Sequence, residues 1–132
     1  MTAGYSGTPL PKKLGIGPGA DVLVLGDPLG FDLRALAPAA DRAPARAYGV
    51  VMLFCPSSAV LTDNFDRAAA SHTTTGAVWV CWPKKSSGVV TDLTEGGVRA
   101  HGLAHGRVDV KVAAIDAVWS GLKFVTRVVD RA

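Results

Sequence analysis

The chain has 132 residues, a length that fits one domain with a single sizeable core. Apolar residues make up 48% of the sequence, which predicts a folded rather than a disordered chain. The formal net charge is +3, and the basic residues are scattered, with Lys12-Lys13 and Lys84-Lys85 as the adjacent pairs. A nucleic-acid partner is therefore not expected, because proteins that bind nucleic acids carry a basic face or stripe.

The sequence also lacks the signals of a membrane or secreted protein. No apolar run approaches the roughly 20 residues that span a bilayer, and the first residues lack the apolar core of a signal peptide. We therefore expect a cytoplasmic protein without a membrane partner. In that compartment Cys55 and Cys81 are expected to be reduced thiols rather than a disulfide.

The first part of the chain predicts an arm, a strand and a short helix. Residues 1–20 are rich in Gly, Pro and small polar side chains and are expected to form an arm with one helical turn, ahead of a single α/β domain over residues 21–132. The unbroken apolar run 22–25 predicts strand one, covered on both faces. A glycine turn and a short helix over 32–36 follow it.

The middle of the chain repeats this pattern. An exposed linker over 39–47 leads to the apolar run 48–54, which predicts strand two. Either Ser57 or Ser58 is expected to cap the next helix, because a serine hydroxyl can accept a hydrogen bond from a free amide at a helix start. That helix is predicted to end near Ser71.

The rest of the chain predicts strand three, a helix and a hairpin. Residues 73–76 are expected to turn the chain into strand three over 77–82, which Pro83 ends. Asp92 and Glu95 have the spacing of a capping box ahead of a weak helix. Side chains that alternate with a period of two then predict two strands joined as an antiparallel hairpin, over 108–113 and 122–128.

Together these elements predict a three-layer α/β sandwich with a mostly parallel, five-stranded sheet. In such sheets, ligands bind outside the carboxyl ends of the strands, which here means the loops at 26–30, 55–58 and 82–92. The first loop reads G-x-x-x-G rather than G-x-G-x-x-G, and Pro28 removes an amide that a phosphate loop would supply. It is either a tight turn or a ligand-binding loop.

The loop after strand three is the strongest candidate for a ligand site. Two ammonium groups, two hydroxyls and free amides lie close together in its sequence, and such groups bind anions. The alternative is a solvated loop whose lysines aid solubility. Trp82 could stack on a planar ligand, and Asp92 is more simply a helix cap than an acid or base. The candidate ligand-binding residues are Gly26, Asp27, Gly30, Trp82, Lys84, Lys85, Ser86, Ser87, Gly88 and Asp92.

No catalytic or metal-binding motif is complete. Cys55 and Cys81 end neighbouring strands but lack CxxC spacing, so they are expected to be core thiols. His101 and His105 have the spacing of two ligands on one helix face, without the Glu of H-E-x-x-H. The G-x-S-x-G pattern of hydrolases does not occur. We predict no catalytic residue and no metal, and the sequence identifies no cofactor.

The order of elements resembles a class I S-adenosylmethionine-dependent methyltransferase. Residues 14–26, L-G-I-G-P-G-A-D-V-L-V-L-G, lead into a glycine turn like the opening of such an enzyme, and the closing strand, helix and hairpin resemble its end. The resemblance implies a sheet order of 1-2-3-5-4 with the last strand antiparallel. It also implies that two strands are missing, with the acidic residue that holds the cofactor ribose, because only residues 26–47 separate strands one and two.

By this mapping, strand one lies at an open edge of the sheet. A short, apolar, uncharged edge strand is a liability unless something pairs with it or covers it. A homodimer or the N-terminal arm would do so, and we expect a dimer.

Several motifs more closely resemble a bacterial family known as domain of unknown function 3052. They are G-Y-S-G-T-P-L at 4–10, W-P-K-K at 82–85, T-D-L-T at 91–94, D-V-K-V at 109–112 and W-S-G-L-K at 119–123. The resemblance covers nearly the whole chain but implies no particular reaction.

Three functions remain open. The first is a non-enzymatic module that binds a small anion or a protein partner at the loop after strand three. The second is a methyltransferase completed by dimerisation, and the third is a nucleic-acid accessory protein that uses the same lysines. We expect the first, because no catalytic group is evident.

Overall fold

Five strands form one sheet in the computed structural model, which describes residues 9–131: β1 (Val22–Gly26), β2 (Tyr48–Phe54), β3 (His72–Pro83), β4 (Arg107–Ala114) and β5 (Trp119–Thr126). Their order across the sheet is β1-β2-β3-β5-β4. β1, β2 and β3 are parallel, while β5 is antiparallel to both of its neighbours. The predicted fold class and strand order are confirmed.

Helices lie on both faces of the sheet: α1 (Leu10–Leu14), α2 (Leu33–Leu36), α3 (Ser58–Ala69) and α4 (Glu95–Ala104). Phe65 of α3 and Val98 of α4 pack into the core on one face. Leu14 of α1 and Leu36 of α2 pack with Trp79 on the other face. This is the predicted three-layer arrangement. No helix of residues 9–131 has the length and apolar character needed to cross a membrane.

The predicted N-terminal arm is described only from Pro9, so most of the motif at 4–10 lies outside the described residues. The predicted helical turn is α1. It is held against the sheet by the indole of Trp79, which donates a hydrogen bond to the Leu14 carbonyl at 3.1 Å.

β3 begins at His72, so residues 73–76 belong to a strand and the predicted turn there is wrong. The pairing of β2 with β3 is irregular, since Tyr48 pairs with His72 while Val50 already pairs with Ala77. The additional residues are mostly β-branched threonines, which favour extended backbone.

β5 is displaced from its predicted range of 122–128. It begins at Trp119 and ends at Thr126, which pairs with Arg107, the first residue of β4. Beyond that pair β4 offers no further partner, and Val128 is 77% exposed in a single 3₁₀ turn. The alternation of side chains in the sequence therefore continues beyond Thr126, where the paired strand ends.

The edge of β1 is covered by the linker between β1 and β2. Asp41 forms a parallel bridge with Leu23, with backbone hydrogen bonds to Val22 and Val24 of 2.9 and 2.8 Å. Arg42 then donates to the carbonyls of Val24 and Gly26 at 3.0 and 2.6 Å. Because the linker covers this edge, the edge itself gives no reason to expect a dimer, and the homodimer stays a prediction.

Candidate functional site

A groove of about 580 Å³ opens at the carboxyl end of β3. The segment 84–95 forms most of its wall, and Ser120 of β5 contributes to the rest. The groove brings together five of the ten predicted ligand-binding residues: Trp82, Lys84, Lys85, Gly88 and Asp92. We call it the β3 groove.

The first turn of this segment uses its own polar groups to hold its shape. Lys85–Ser87 form a single 3₁₀ turn, which Gly88 ends with a φ of 80°. The hydroxyl of Ser87 donates to the Lys84 carbonyl at 2.6 Å and accepts from the amide of Val89 at 3.1 Å. Ser86 and Ser87 do not line the groove, so the two lysines remain without the hydroxyls that the sequence suggested.

Asp92 closes the other end of the segment against α3. Its carboxylate accepts hydrogen bonds from the amide of Ser58, at 2.8 Å, and from the Ser58 hydroxyl. The bond from the hydroxyl is the main cause that lowers the pKa of Asp92, and the amide adds to it. The predicted capping of α4 by Asp92 is wrong, because Thr94 is the cap and accepts from Gly97 at 3.1 Å.

The charged side chains of the groove that lack an ion-pair partner are mostly positive. Asp92 keeps its negative charge, because its hydrogen bonds come from the neutral Ser58, while Glu95 is paired with Arg99 at 2.8 Å. Lys84 and Lys85 form no ion pair with any residue of the range 9–131. A small anion is therefore the ligand that the charges of this groove favour.

Apolar side chains form the remaining wall of the groove. Trp82 and Leu93 are buried, so they provide a core-like floor rather than a free stacking surface. Val89 and Val90 lie at the rim, and Val90 is 95% exposed. The arrangement can accept a molecule with one anionic group and an apolar part.

The glycine loop after β1 lies outside this groove, so Gly26, Asp27 and Gly30 are not brought together with the lysines. The Pro28 carbonyl accepts from the indole of Trp119 at 2.9 Å, and the amide of Leu29 donates to Asp27 at 2.9 Å. A Cβ on Gly26 would lie 2.1 Å from the carbonyl oxygen of Phe54, which shows how closely the loop packs on β2.

S-adenosylmethionine (SAM) would be expected beside this loop if the resemblance extended to the cofactor. The residues present do not fit it. The loop is tied down on Trp119 and packed on β2, and the carbonyl of Gly26 is covered by Arg42. It therefore offers no open backbone cradle of the kind that the G-x-G-x-x-G pattern provides.

The two cysteines are buried and free. The amide of Cys55 donates to the Cys81 carbonyl at 2.8 Å, but the two side chains belong to cores on opposite faces of the sheet. Burial raises the pKa of Cys55 to about 12 and raises the pKa of Cys81 well above its usual value. Both thiols are therefore poor nucleophiles.

His101 and His105 stack on each other, with ring centroids 4.1 Å apart. Asp66 of α3 lies 2.8 Å from Nδ1 of His105, a contact that the spacing of the histidines did not reveal. Within residues 9–131, no three His, Cys, Asp or Glu side chains are placed to hold a metal ion.

Several solved structures share this fold. A Thermoplasma acidophilum protein assigned as a methyltransferase matches with a TM-score of 0.52, 10% identity, and coverage of 83% of this chain and 69% of its own. DhpI in complex with S-adenosylhomocysteine (SAH) matches with a TM-score of 0.54, 12% identity, and coverage of 80% and 76%. LepI in complex with SAM matches with a TM-score of 0.53 and 12% identity; the match covers 89% of this chain but only 39% of LepI.

No family model and no curated protein matches the sequence, so the resemblance to domain of unknown function 3052 is not confirmed. At 10 to 12% identity the solved structures show the fold alone. The chain therefore has an α/β fold like that of SAM-dependent methyltransferases.

Proposed function

We propose that this protein binds a small anionic ligand in the β3 groove. The observation that carries the proposal is the pair Lys84 and Lys85, which line the groove without an ion-pair partner in the range 9–131. Of the acids in the lining, Glu95 is paired with Arg99, so Asp92 alone offsets the two lysines. A volume of about 580 Å³ suits a small molecule. Charge-assisted hydrogen bonds from two ammonium groups favour phosphate or carboxylate.

SAM-dependent methyl transfer is the second candidate. The comparisons favour methyl transfer over a non-enzymatic binding module, since the solved neighbours include complexes with SAH and SAM. The residues of this chain favour it less, because the glycine loop does not fit the cofactor. Between β1 and β2 only the single bridge at Asp41 extends the sheet, so an enzyme would need the rest of the cofactor pocket from elsewhere, such as a second copy.

Thermal unfolding in the presence of candidate ligands separates the two. A ligand at about 100 times its dissociation constant adds about 2.7 kcal/mol to the free energy of unfolding, which raises the midpoint measurably. We expect inorganic phosphate or adenosine monophosphate to raise the midpoint of the wild type. The rise should be lost in Lys84→Ala/Lys85→Ala and kept in the matched control Lys12→Ala/Lys13→Ala.

The same experiment with SAM and SAH tests the second candidate. A rise that persists in Lys84→Ala/Lys85→Ala would favour a cofactor site and methyl transfer. If phosphate, adenosine monophosphate, SAM and SAH all leave the midpoint unchanged, both candidate functions are wrong for these ligand classes.

A further inference from the structure

Two stacked histidines join α4 to α3. The rings of His101 and His105 lie 11° from parallel, with centroids 4.1 Å apart. Phe65 of α3 packs nearly perpendicular to both rings, with its centroid 5.1 Å from that of His101 and 5.9 Å from that of His105. Asp66 of α3 accepts a hydrogen bond from Nδ1 of His105 at 2.8 Å. We call His101, His105, Phe65 and Asp66 the histidine joint.

The joint holds one counter-charge for two rings. Asp66 touches His105, so a positive charge on that ring has a carboxylate beside it. Nε2 of His101 is buried and has no hydrogen-bond partner within residues 9–131. A histidine cation carries a proton on both ring nitrogens, so protonation of His101 would bury an N–H group without an acceptor. The fold therefore favours the neutral form of His101.

The pKa of His101 agrees with this geometry. It is lowered from its usual value, mainly by burial, and the charge of His105 lowers it further while Asp66 opposes the shift. The neutral ring therefore contributes stability that is present above the unfolded-state pKa of about 6.5. That contribution is lost as the pH falls through the lowered pKa of the folded chain.

The strands next to α4 bring no second counter-charge to the joint in the described part of the chain. Asp109 of β4 is already paired with Arg99 of α4 at 2.8 Å. Arg107 of β4 is positive and donates to Nε2 of His72 at 2.9 Å. Lys123 of β5 belongs to the row of residues that faces the opposite core. A second proton on the stacked pair would therefore meet repulsion from the first, with Asp66 able to offset one of the two.

We propose that the histidine joint is an acid-sensitive switch, which releases α4 from α3 when both stacked rings carry a proton. Repulsion between the two cations would part the rings and draw them away from Phe65. The other end of α4 reaches the β3 groove, where Thr94 and Glu95 form part of the lining. The release would therefore loosen one wall of the groove. Its effect on a bound anion rests on the proposed function, whereas the release of α4 does not.

Amide hydrogen exchange of the whole chain, followed by NMR and expressed as protection factors, tests the switch. We expect the protection of α4 to fall by about tenfold between about pH 7.5 and about pH 5, to a value well below that of β2. The fall should be absent in His101→Phe and in His105→Phe, since each variant keeps a stacked ring but leaves one histidine to titrate. Asp66→Asn should enlarge the fall, because it removes the counter-charge. Leu103→Ala, an exposed change in the same helix, should behave like the wild type.

Three results would overturn the proposal. The first is a protection of α4 in the wild type that does not change with pH. The second is equal protection of α4 and β2 at about pH 5, because α4 would then open only when the whole chain unfolds. The third is the wild-type fall in either phenylalanine variant, so one folded variant is enough to decide. His72 is unchanged in every variant, and no phosphate is present, so the outcome is independent of His72 and of the test of the β3 groove.

Discussion

Asp92 accepts two hydrogen bonds from Ser58, one from the backbone amide at 2.8 Å and one from the hydroxyl. These bonds join the segment that walls the β3 groove to the first turn of α3, where the free amides of the helix start favour a negative charge. The shape of the groove therefore depends on a contact between residues 34 positions apart.

This contact predicts a pH dependence of stability. The pKa of Asp92 in the folded chain is lowered, mainly by the Ser58 hydroxyl. Its contribution to stability is therefore present above the unfolded-state pKa of about 3.9 and is lost as the pH falls through the folded-state pKa. We expect Asp92→Asn to be less stable than wild type at neutral pH and equally stable in strong acid, as measured by chemical denaturation. Asp63→Asn, an exposed control on α3, should match the wild type at neutral pH. If Asp92→Asn were less stable than the wild type by the same amount at every pH, this account would be contradicted.

Replacing either of two glycines of α4 by alanine is predicted to change the free energy of unfolding, with opposite signs at the two positions. A Cβ on Gly102 would lie 2.0 Å from Cε1 of Phe124, which is fully buried against Phe65. Gly102→Ala should therefore lower the free energy of unfolding by about 1–3 kcal/mol through overpacking. Gly96 has open space at the Cβ position, so Gly96→Ala should raise it by about 0.5–1 kcal/mol. Urea denaturation of both variants measures the difference, and equal signs would refute it.

Arg42 is predicted to protect the edge of β1. It covers the carbonyls of Val24 and Gly26, so Arg42→Ala should cost about 1 kcal/mol in unfolding free energy and leave edge groups unpaired. We expect the variant to associate at high concentration, as light scattering would show. Arg34→Ala, on the exposed side of α2, should remain like the wild type. An Arg42→Ala chain that stays dispersed and fully stable would show that the linker covers the edge without it.

The cysteines are predicted to be unreactive in the folded chain. Because burial raises the pKa of both thiols, that of Cys55 to about 12, neither should react with a disulfide reagent at mildly alkaline pH until the chain unfolds. Absorbance of the released thiolate measures the reaction, and Ser86→Cys provides an exposed thiol as a positive control. Rapid modification of the wild type would mean that the ends of β2 and β3 open readily.

The predictions from sequence succeeded where burial is uniform. β2 has the predicted bounds of 48–54 because it lies in the middle of the sheet with nearly every side chain buried, so its apolar run begins and ends with the strand. They failed where a polar side chain had a choice of partners. Asp92 has the spacing of a cap for α4, but Thr94 took that place and Asp92 bonds to Ser58.

The sequence by itself determined the layered α/β fold, the five strands and the basic segment after β3, since these follow from local hydrophobic patterns and turn residues. Only the tertiary structure decided which polar groups meet. Lys111 reaches the Lys13 carbonyl across 98 positions, and Trp119 ties down the Pro28 carbonyl across 91. Such contacts have no signature in a single sequence, because they depend on which strand ends and helix ends the packing of the sheet brings together.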